Sequence, residues 1–375
     1  MGSVLDYPER TLAIMPTYAC PAACKNCGTI SHPSDKNHLT IEAILQSIHQ
    51  AKALNFTCVV FTGGEATLRW TELIAGIQLA TELDLPTRLV TNAHWAQSDV
   101  ETLRILQDLI DAGLREINFS TGDEHVRFVP VENVVLATLA ALRTKLTVAL
   151  MIETRKSSAV TRQSLLDLLT VASLDASVLE RLSIIESPWM PLNPNTVAEY
   201  PEGMVVNRSN IHASRGCESV LQTYVVGGDG RVSACCGLGM RLIEELKVSN
   251  VVFEGFLEQA ILDSEEDLIK QALRAKGPIK LLAWAASKDA SIVWEDMYAH
   301  ACQACLRIYK DEKVRAVLRQ HSNELIVAYL NSRFLDNVLI PLALNQSRAA
   351  ELQVQVELPP SVTRCQTDAL IDRRA

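Results

Sequence analysis

The sequence predicts an α/β fold, in which a parallel sheet forms a partial (β/α)6 barrel and a smaller C-terminal domain follows. From residue 9 to residue 172, short β-rich runs alternate with stretches of helical periodicity. Repeating βα units favour a parallel sheet, and six β-rich runs with the motifs described below favour a curved, open barrel. Ligands of such sheets bind at the carboxyl ends of the strands.

The six predicted strands are short and rich in apolar and β-branched residues; they cover residues 10–15, 59–62, 87–91, 116–120, 146–152 and 182–185. The predicted helices between them cover residues 39–54, 70–83, 99–112, 131–143 and 163–172. Thr40 is a candidate N-cap of the first helix, and Gly113 closes the third.

The 375 residues are 48% hydrophobic, enough for a large core and more than one domain. Residues 186–216 are rich in proline and asparagine, which predicts a connecting loop. We therefore expect a barrel over residues 9–200, a second domain over 201–345 and a polar, poorly ordered tail over 346–375.

Charge and hydropathy limit the partners. Thirty-five basic and 44 acidic residues give a net charge of −9, which argues against binding nucleic acid or an anionic membrane through charge alone. No apolar run reaches the ~20 residues of a membrane-spanning helix, and the N-terminus lacks a signal-peptide pattern. Clustered cysteines without a secretion signal favour a reducing compartment, so we expect the cytoplasm.

Three cysteines, Cys20, Cys24 and Cys27, stand in a C-x3-C-x2-C spacing after the first predicted strand. A structural zinc site has four closed ligands, whereas a four-iron cluster takes one cysteine per iron. Three cysteines therefore leave one iron of such a cluster open to a substrate or cofactor.

A second motif, Gly63-Gly64-Glu65, follows the second predicted strand. Two glycines at a strand end permit close approach of the backbone to a ligand. The adjacent carboxylate can accept hydrogen bonds from an ammonium group.

With both motifs intact, the chain resembles the radical S-adenosylmethionine (SAM) superfamily over about residues 9–200. The resemblance implies a four-iron cluster held by Cys20, Cys24 and Cys27, whose open iron chelates SAM. It also implies that Gly63, Gly64 and Glu65 hold the SAM amino group. Polar residues at the later strand ends would bind the rest of SAM, and our candidates are Asn92, Ser120, Glu153 and Arg155.

The sequence motifs do not identify the catalytic residues. Asp123, Glu124 and His125 follow the fourth predicted strand and are candidates for substrate contact. A solvated cluster of loop charges is the alternative interpretation of the same three residues.

A second set of cysteines lies in the C-terminal half. Two β-rich runs flank Gly227-Gly228-Asp229-Gly230, which predicts a hairpin. Cys217 precedes this hairpin, Cys235 and Cys236 follow it, and Cys302 and Cys305 form a C-x2-C pair. Four thiolates from this set would close a [4Fe–4S] cluster or a zinc site equally well.

Helical stretches are expected over residues 260–275 and 279–286, and another is expected to begin near residue 293. The last one would carry Cys302 and Cys305 on one face, because residues three apart are neighbours on a helix.

The spacing of Cys217, Gly230 and Cys235 resembles the start of the auxiliary-cluster domains called SPASM and twitch. No cysteine follows Cys305 before Cys365, so the chain is more similar to the shorter twitch form, with one auxiliary cluster. The glycine spacing favours Cys235 over Cys236 as the ligand.

The resemblance implies a radical SAM enzyme with oxidoreductase- or lyase-type chemistry. It would cleave SAM reductively to a 5′-deoxyadenosyl radical, which abstracts hydrogen from a peptide. The product would be a matured ribosomally synthesised precursor, through crosslinking, epimerisation or backbone excision.

An electron donor such as flavodoxin or ferredoxin is implied. Because this sequence begins directly at the first strand, we expect that a peptide substrate either needs a separate leader-peptide-binding protein or is bound directly. The alternatives are a radical SAM enzyme acting on a small molecule, and a non-catalytic iron–sulfur or zinc protein.

Overall fold

The computed structural model describes residues 9–171, 181–249 and 253–334. Its first part repeats a strand and a helix five times and ends on a sixth strand. The elements are β1 (Arg10–Ile14), α1 (Ile41–Ala53), β2 (Phe56–Phe61), α2 (Trp70–Glu82), β3 (Thr87–Thr91), α3 (Asp99–Ala112), β4 (Glu116–Gly122), α4 (Val131–Leu142), β5 (Thr147–Thr154), α5 (Arg162–Val171) and β6 (Leu182–Pro188).

The second part is a short β-meander followed by helices. Its elements are β7 (Thr223–Val226), β8 (Val232–Ser233), α6 (Gly239–Leu242), β9 (Lys247–Ser249), α7 (Phe256–Glu265), α8 (Leu268–Lys276), α9 (Pro278–Lys288), α10 (Ala301–Lys310), α11 (Glu312–Gln320) and α12 (Ser322–Phe334).

The nine strands of the described residues form one sheet in the order β6-β5-β4-β3-β2-β1-β7-β8-β9. Neighbouring strands from β6 to β7 pair in parallel, and β8 and β9 add antiparallel strands at the edge. The α/β class and the parallel-dominated sheet are confirmed. The parallel order places the carboxyl ends of β1 to β6 at one edge of the sheet, where a ligand site is expected.

The hairpin predicted around Gly227 to Gly230 is present and belongs to this same sheet. Strand β7 pairs with β1 in the register Thr11↔Thr223 to Ile14↔Val226, and β8 returns antiparallel to β7. The turn between β7 and β8 therefore lies at the carboxyl end of β1, where the Tyr18 hydroxyl donates to Asp229 at 3.1 Å. The domain boundaries at residues 200 and 345 stay a prediction.

Three strands, β4, β5 and β6, extend at their carboxyl ends beyond the predicted apolar runs. Backbone pairing continues through Gly122↔Glu153 and Thr154↔Pro188, although the residues there are polar or proline. Proline is compatible with this position, because it stands at the end of an edge strand. By contrast, β3 and α3 have the predicted bounds, and Ser98 and Gly113 cap α3.

Two predictions about the C-terminal helices are wrong. The helix expected over residues 260–275 is two helices, because the Asp267 carboxylate accepts hydrogen bonds from the amides of Ile269 and Lys270 and starts α8. The helix expected to begin near residue 293 begins at Ala301, where His300 is the N-cap.

The chain before Ala301 is not helical because its backbone pairs with another segment. The Val206 amide donates to the Tyr298 carbonyl at 2.9 Å, and the Asp296 amide donates to the Val206 carbonyl at 3.2 Å. The buried side chains of Trp294 and Tyr298 hold this segment in the core. The predicted tail over residues 346–375 lies outside the described residues.

The main core fills the space between the sheet and its helices, with Phe61, Ile44 and Leu73 fully buried. In the part of the chain that the structure describes, no helix is long and apolar enough to cross a membrane.

Candidate functional site

The loop between β1 and α1, here called the cysteine loop, carries Cys20, Cys24 and Cys27 at the carboxyl end of β1. Its shape comes from backbone hydrogen bonds, since it contains no helix and only an isolated β-bridge between Thr17 and His38. The Ile30 amide donates to the Cys27 carbonyl at 3.0 Å, and the His32 amide donates to the Tyr18 carbonyl at 3.3 Å.

The three thiols share one partly buried environment. Burial raises the pKa of Cys20 to about 12, with further rises from the charges of Glu65 and Cys27. Burial likewise raises the pKa of Cys24 to about 12, and the charges of Cys27 and Glu153 add to it. Such thiols ionise when a metal compensates their charge, because metal binding releases the thiol protons. The donor set therefore fits a cationic metal group.

Gly63 and Gly64 pack directly against the cysteine loop. The Gly64 amide donates to the Thr17 carbonyl at 3.0 Å, and the Glu65 amide donates to the Ala19 carbonyl at 2.8 Å. A Cβ on Gly64 would lie 2.1 Å from the Ala19 carbonyl oxygen. Gly63 has a φ of +126° and would also be strained as any other residue. The two sequence motifs are therefore in direct contact, and both glycines are needed for it.

Glu65 is 1% exposed and joins the ends of β2 and β3. Its Oε1 accepts hydrogen bonds from the Thr67 hydroxyl at 2.7 Å and the Thr91 hydroxyl at 2.9 Å. Its Oε2 accepts from the Asn92 amide at 2.9 Å. Each carboxylate oxygen has about two acceptor positions, so Oε2 can take a second donor from a ligand.

Asn92 connects Glu65 to the cysteine loop. Its Nδ2 lies 3.5 Å from the Cys20 sulfur and is oriented to donate to it. Ser120, on β4, is half-buried, and its hydroxyl donates to the Thr91 carbonyl at 3.5 Å. The structure thus brings Asn92 next to the predicted metal ligands and places Ser120 one strand further along the same edge.

A group of charged residues occupies the ends of β4 and β5. Glu124 is buried, and its carboxylate pairs with Arg155 at 2.9 Å and with Arg127 at 3.1 Å. The Arg155 guanidinium also lies 4.8 Å from the centre of the Trp189 ring. Burial alone would raise the pKa of Glu124, but the hydrogen bonds and charges of the two arginines outweigh it and lower the pKa.

The remaining candidates differ in their surroundings. Glu153 accepts a hydrogen bond from the Glu124 amide, and its other oxygen lies 3.6 Å from Nδ1 of His125. Asp123 instead accepts hydrogen bonds from the amides of Ala159 and Val160 at 3.0 and 2.9 Å. Asp123 therefore holds the loop after β5, whereas Glu124 and Glu153 lie near the cysteine loop, since their charges raise the pKa of Cys24.

Sequence reasoning did not single out two residues at this edge. Trp189 follows β6 directly, so its place at a strand end was a usable signal. The Thr29 hydroxyl lies 3.3 Å from the Cys27 sulfur, and no sequence pattern marks it.

The second set of cysteines surrounds one cavity, here called the four-cysteine cavity. Four of its lining residues are the predicted ligands Cys217, Cys235, Cys302 and Cys305. Cys236 is not among the lining residues; its sulfur donates to the Ser219 hydroxyl at 3.4 Å. Within the described residues, no three His, Cys, Asp or Glu side chains already converge on one metal ion. Thiolates that each bind a different iron of a cluster need not converge on one point.

Backbone amides surround the sulfurs of this cavity. The Gly237 amide donates to the Cys235 sulfur at 3.2 Å. Burial raises the pKa of Cys302, and a backbone hydrogen bond from Leu238 lowers it. A Cβ on Gly237 would lie 2.6 Å from the Cys302 sulfur, so the chain approaches the thiols as closely as only glycine allows. Hydrogen bonds to the ligating sulfurs are a known determinant of iron–sulfur potentials, and the four thiols with their amide donors are a suitable donor set for such a group.

The Tyr309 hydroxyl is buried and has no hydrogen-bond partner among the residues that the structure describes. Burial raises the pKa of Tyr309 well above its ordinary value, and the charge of Cys305 is the next cause. A buried donor near these thiols is consistent with a further acceptor in the cavity, because buried polar groups are ordinarily paired.

Residues 14–129 match the family model described as "Radical SAM superfamily". The match includes the cysteine loop, Gly63-Gly64-Glu65 and the strands β2 to β4. These residues therefore carry a radical SAM domain, and the resemblance is confirmed over this part of the chain. The superfamily is enzymatic, and its members use SAM and a [4Fe–4S] cluster.

Several solved structures are similar to this chain. SuiB of Streptococcus suis bound to S-adenosylmethionine shares 15% identity at a TM-score of 0.41, over 72% of this chain and 68% of SuiB. Native anSMEcpe with bound AdoMet and Cp18Cys peptide shares 13% identity at a TM-score of 0.49, over 86% and 99% of the two chains. Methylornithine synthase (PylB) shares 12% identity at a TM-score of 0.36, over 86% and 82%.

Gly64→Ala should destabilise the protein, because its Cβ would clash with a backbone carbonyl rather than with a flexible side chain. We expect a loss of about 1–3 kcal/mol or more in the free energy of unfolding and weaker iron retention by the cysteine loop. Gly28→Ala is the matched control, since its Cβ would meet only Leu238 at an ordinary 3.5 Å. Denaturant unfolding and iron analysis measure both effects; equal behaviour of the two variants would contradict the close contact.

Glu124→Gln should lower stability at neutral pH by about 1.5–3 kcal/mol, because it removes the charge that Arg155 and Arg127 share. The folded-state pKa of Glu124 is lowered, so this stabilisation is complete above the ordinary carboxyl pKa of about 4.3. It disappears as the pH falls through the lowered folded-state value. Denaturant unfolding measures the effect: the difference in the free energy of unfolding between the variant and the wild type should be smaller near pH 3 than at pH 7.

The control is Glu101→Gln, whose partner Arg104 is on the exposed face of α3. Water screens an exposed pair, so Glu101→Gln should cost much less stability than Glu124→Gln. A loss at Glu101 as large as that at Glu124 would show that burial of the Glu124 pair is not the cause.

Proposed function

We propose that this protein is a radical SAM enzyme that binds SAM at the cysteine loop, holds one auxiliary [4Fe–4S] cluster in the four-cysteine cavity and modifies a peptide. The observation that carries the proposal is the contact between the cysteine loop and Gly63-Gly64-Glu65 within the matched radical SAM domain. The four cysteines around a second cavity support the auxiliary cluster.

The chain's own residues would perform distinct tasks at the first site. Cys20, Cys24 and Cys27 would hold the cluster, and Asn92 would donate a hydrogen bond to the Cys20 sulfur. The carbonyls of Gly63 and Gly64 and the free acceptor position of Glu65 would bind the SAM ammonium. When bound, the reduced cluster and SAM supply an organic radical that abstracts a hydrogen atom from the substrate.

The remaining strand ends would complete the pocket. Ser120, Glu153 and Arg155 are our candidates for contacts to the ribose and carboxylate of SAM. Arg155 is held between Glu124 and Trp189, so its guanidinium is fixed in place before a ligand arrives. His125 lies beside Glu153 and is the candidate for substrate contact that the structure supports most directly.

A peptide substrate is our choice among radical SAM substrates. It rests on the spacing of the second cysteine set, which resembles the twitch form, and this form occurs mostly in enzymes that modify peptides or proteins. We propose oxidoreductase- or lyase-type maturation of a ribosomal precursor in the cytoplasm, with a flavodoxin or ferredoxin as electron donor and a separate leader-binding protein. A small-molecule substrate would leave both cysteine sites unchanged, and only turnover assays distinguish the two.

Iron analysis and SAM cleavage test the first site. Anaerobically reconstituted protein should contain about eight iron and eight sulfide, and the Cys20→Ala/Cys24→Ala/Cys27→Ala variant about four. Reduced wild type should form 5′-deoxyadenosine from SAM, whereas the triple variant should form none. A triple variant with undiminished iron would contradict the assignment of these ligands.

Single substitutions test the second site. Cys235→Ala should lower iron content by about four per chain, because Cys235 lines the cavity. Cys236→Ala is the matched control and should retain the iron, since its sulfur bonds to Ser219 instead. Loss of iron only in Cys236→Ala would reverse this choice of ligand. If the wild type contained one zinc and about four iron per chain, the second site would be a zinc site and not an auxiliary cluster.

A further inference from the structure

Arg241 joins the second part of the chain to the cysteine loop. Its Nη1 donates to the carbonyl oxygens of Thr29 at 2.9 Å and Ile30 at 3.0 Å. Its guanidinium carbon lies 3.9 Å from the centre of the Tyr18 ring. All three contacts are on the loop that carries Cys20, Cys24 and Cys27.

The part of the loop that Arg241 holds is strained. Ile30 has a φ of 52°, a left-handed conformation that β-branched residues rarely adopt. Such a residue keeps its conformation only where its surroundings impose it. The turn is closed by the bond from the Ile30 amide to the Cys27 carbonyl, so the contacts of Arg241 stabilise the backbone directly after a predicted ligand.

Arg241 stands six residues after Cys235, in what we call the connecting segment, residues 235–241. The first half of this segment contacts the four-cysteine cavity, through the Gly237 amide at the Cys235 sulfur and the close approach of Gly237 to the Cys302 sulfur. Leu238 lies 3.5 Å from the position of a Cβ on Gly28, next to Cys27. One stretch of seven residues therefore touches both the four-cysteine cavity and the cysteine loop.

We propose that Arg241 is a positioning residue through which metal binding in the four-cysteine cavity orders the cysteine loop. The coupling rests on the proposed function, since it needs a metal group in that cavity. Ligation of Cys235 and Cys302 would fix Gly237 and Leu238 between them. It would thereby fix the short helix α6 that carries Arg241. The hydrogen bond from the Ser233 hydroxyl to the Met240 carbonyl, at 3.2 Å, keeps α6 on the sheet.

Amide hydrogen exchange in the Cys20→Ala/Cys24→Ala/Cys27→Ala variant tests the coupling, because only the four-cysteine cavity of that variant can load. Exchange is compared between the metal-free protein and protein reconstituted with iron and sulfide, or with zinc alone. Loading should slow exchange at the amides of Ile30 and His32 by about 5-fold or more, the size of an ordinary coupling between two sites. Unchanged exchange on loading would overturn the proposal.

Adding Arg241→Met should abolish this slowing while the cavity still takes its metal. Arg241→Lys should restore it only in part, because an ammonium cannot reproduce the planar stacking and paired contacts of a guanidinium. Arg208→Met is the control, since Arg208 pairs with Glu295 on the surface, and it should leave the slowing intact. A slowing that survives Arg241→Met would remove Arg241 from the coupling.

A second comparison keeps the cysteine loop intact, in case the triple variant does not fold. In iron-loaded Cys302→Ala, the same two amides should exchange faster than in iron-loaded wild type. Equal rates would again overturn the coupling. A wild type that binds neither iron nor zinc in the cavity would overturn the proposed function and the coupling together, whereas a loaded cavity without altered exchange would overturn the coupling alone.

Discussion

The backbone contact between the end of β2 and the cysteine loop is the constraint on which the rest of the site depends. The loop has no helix and only one isolated bridge, so its position comes from bonds such as those from Gly64 to Thr17 and from Glu65 to Ala19. These bonds form only because Gly64 has no Cβ. The same contact buries Glu65, whose carboxylate then fixes the end of β3 and the amide of Asn92. One close approach thus positions the ends of three strands.

The electrostatics of both cysteine sets follow from burial. Removal from water raises the pKa of Cys20 and Cys24 to about 12 and that of Cys235 and Cys305 well above its ordinary value. Neighbouring thiols and carboxylates raise these values further, because like charges disfavour ionisation. Both sites are therefore arranged so that thiolates form together with a cation. The backbone amides at Cys235 and Cys302 then supply the hydrogen bonds that ionised sulfurs accept.

The sequence predicts much of this site because its motifs are local. Cys20, Cys24 and Cys27, and Gly63-Gly64-Glu65, lie within short stretches whose spacing carries the chemistry, and apolar periodicity alone predicts β3 and α3. Pairing between distant segments is not encoded in this way. The strand β5 extends to Thr154 only because β4 and β6 pair with its polar end, and the segment before Ala301 pairs with Val206 instead of forming a helix. The pairing of Glu124 with Arg155 depends in turn on how far those strands extend.

The addition of β7 to the edge of β1 has a consequence for how the two cysteine sets relate to each other. Separate cores joined by the loop over residues 186–216 would leave the two sites free to move relative to one another. Instead, β1 hydrogen-bonds to β7, β7 leads through a tight turn to β8, and Cys235 follows β8 within two residues. The cysteine loop leaves the carboxyl end of β1, where the turn between β7 and β8 also lies, whereas Cys235 follows the opposite end of β8. The sheet therefore fixes the starting points of both sites, and the connecting segment runs from Cys235 back to the cysteine loop, which Arg241 contacts. Under the proposed coupling, a local change in one site would reach the other through this segment, without movement of the helices that cover the sheet.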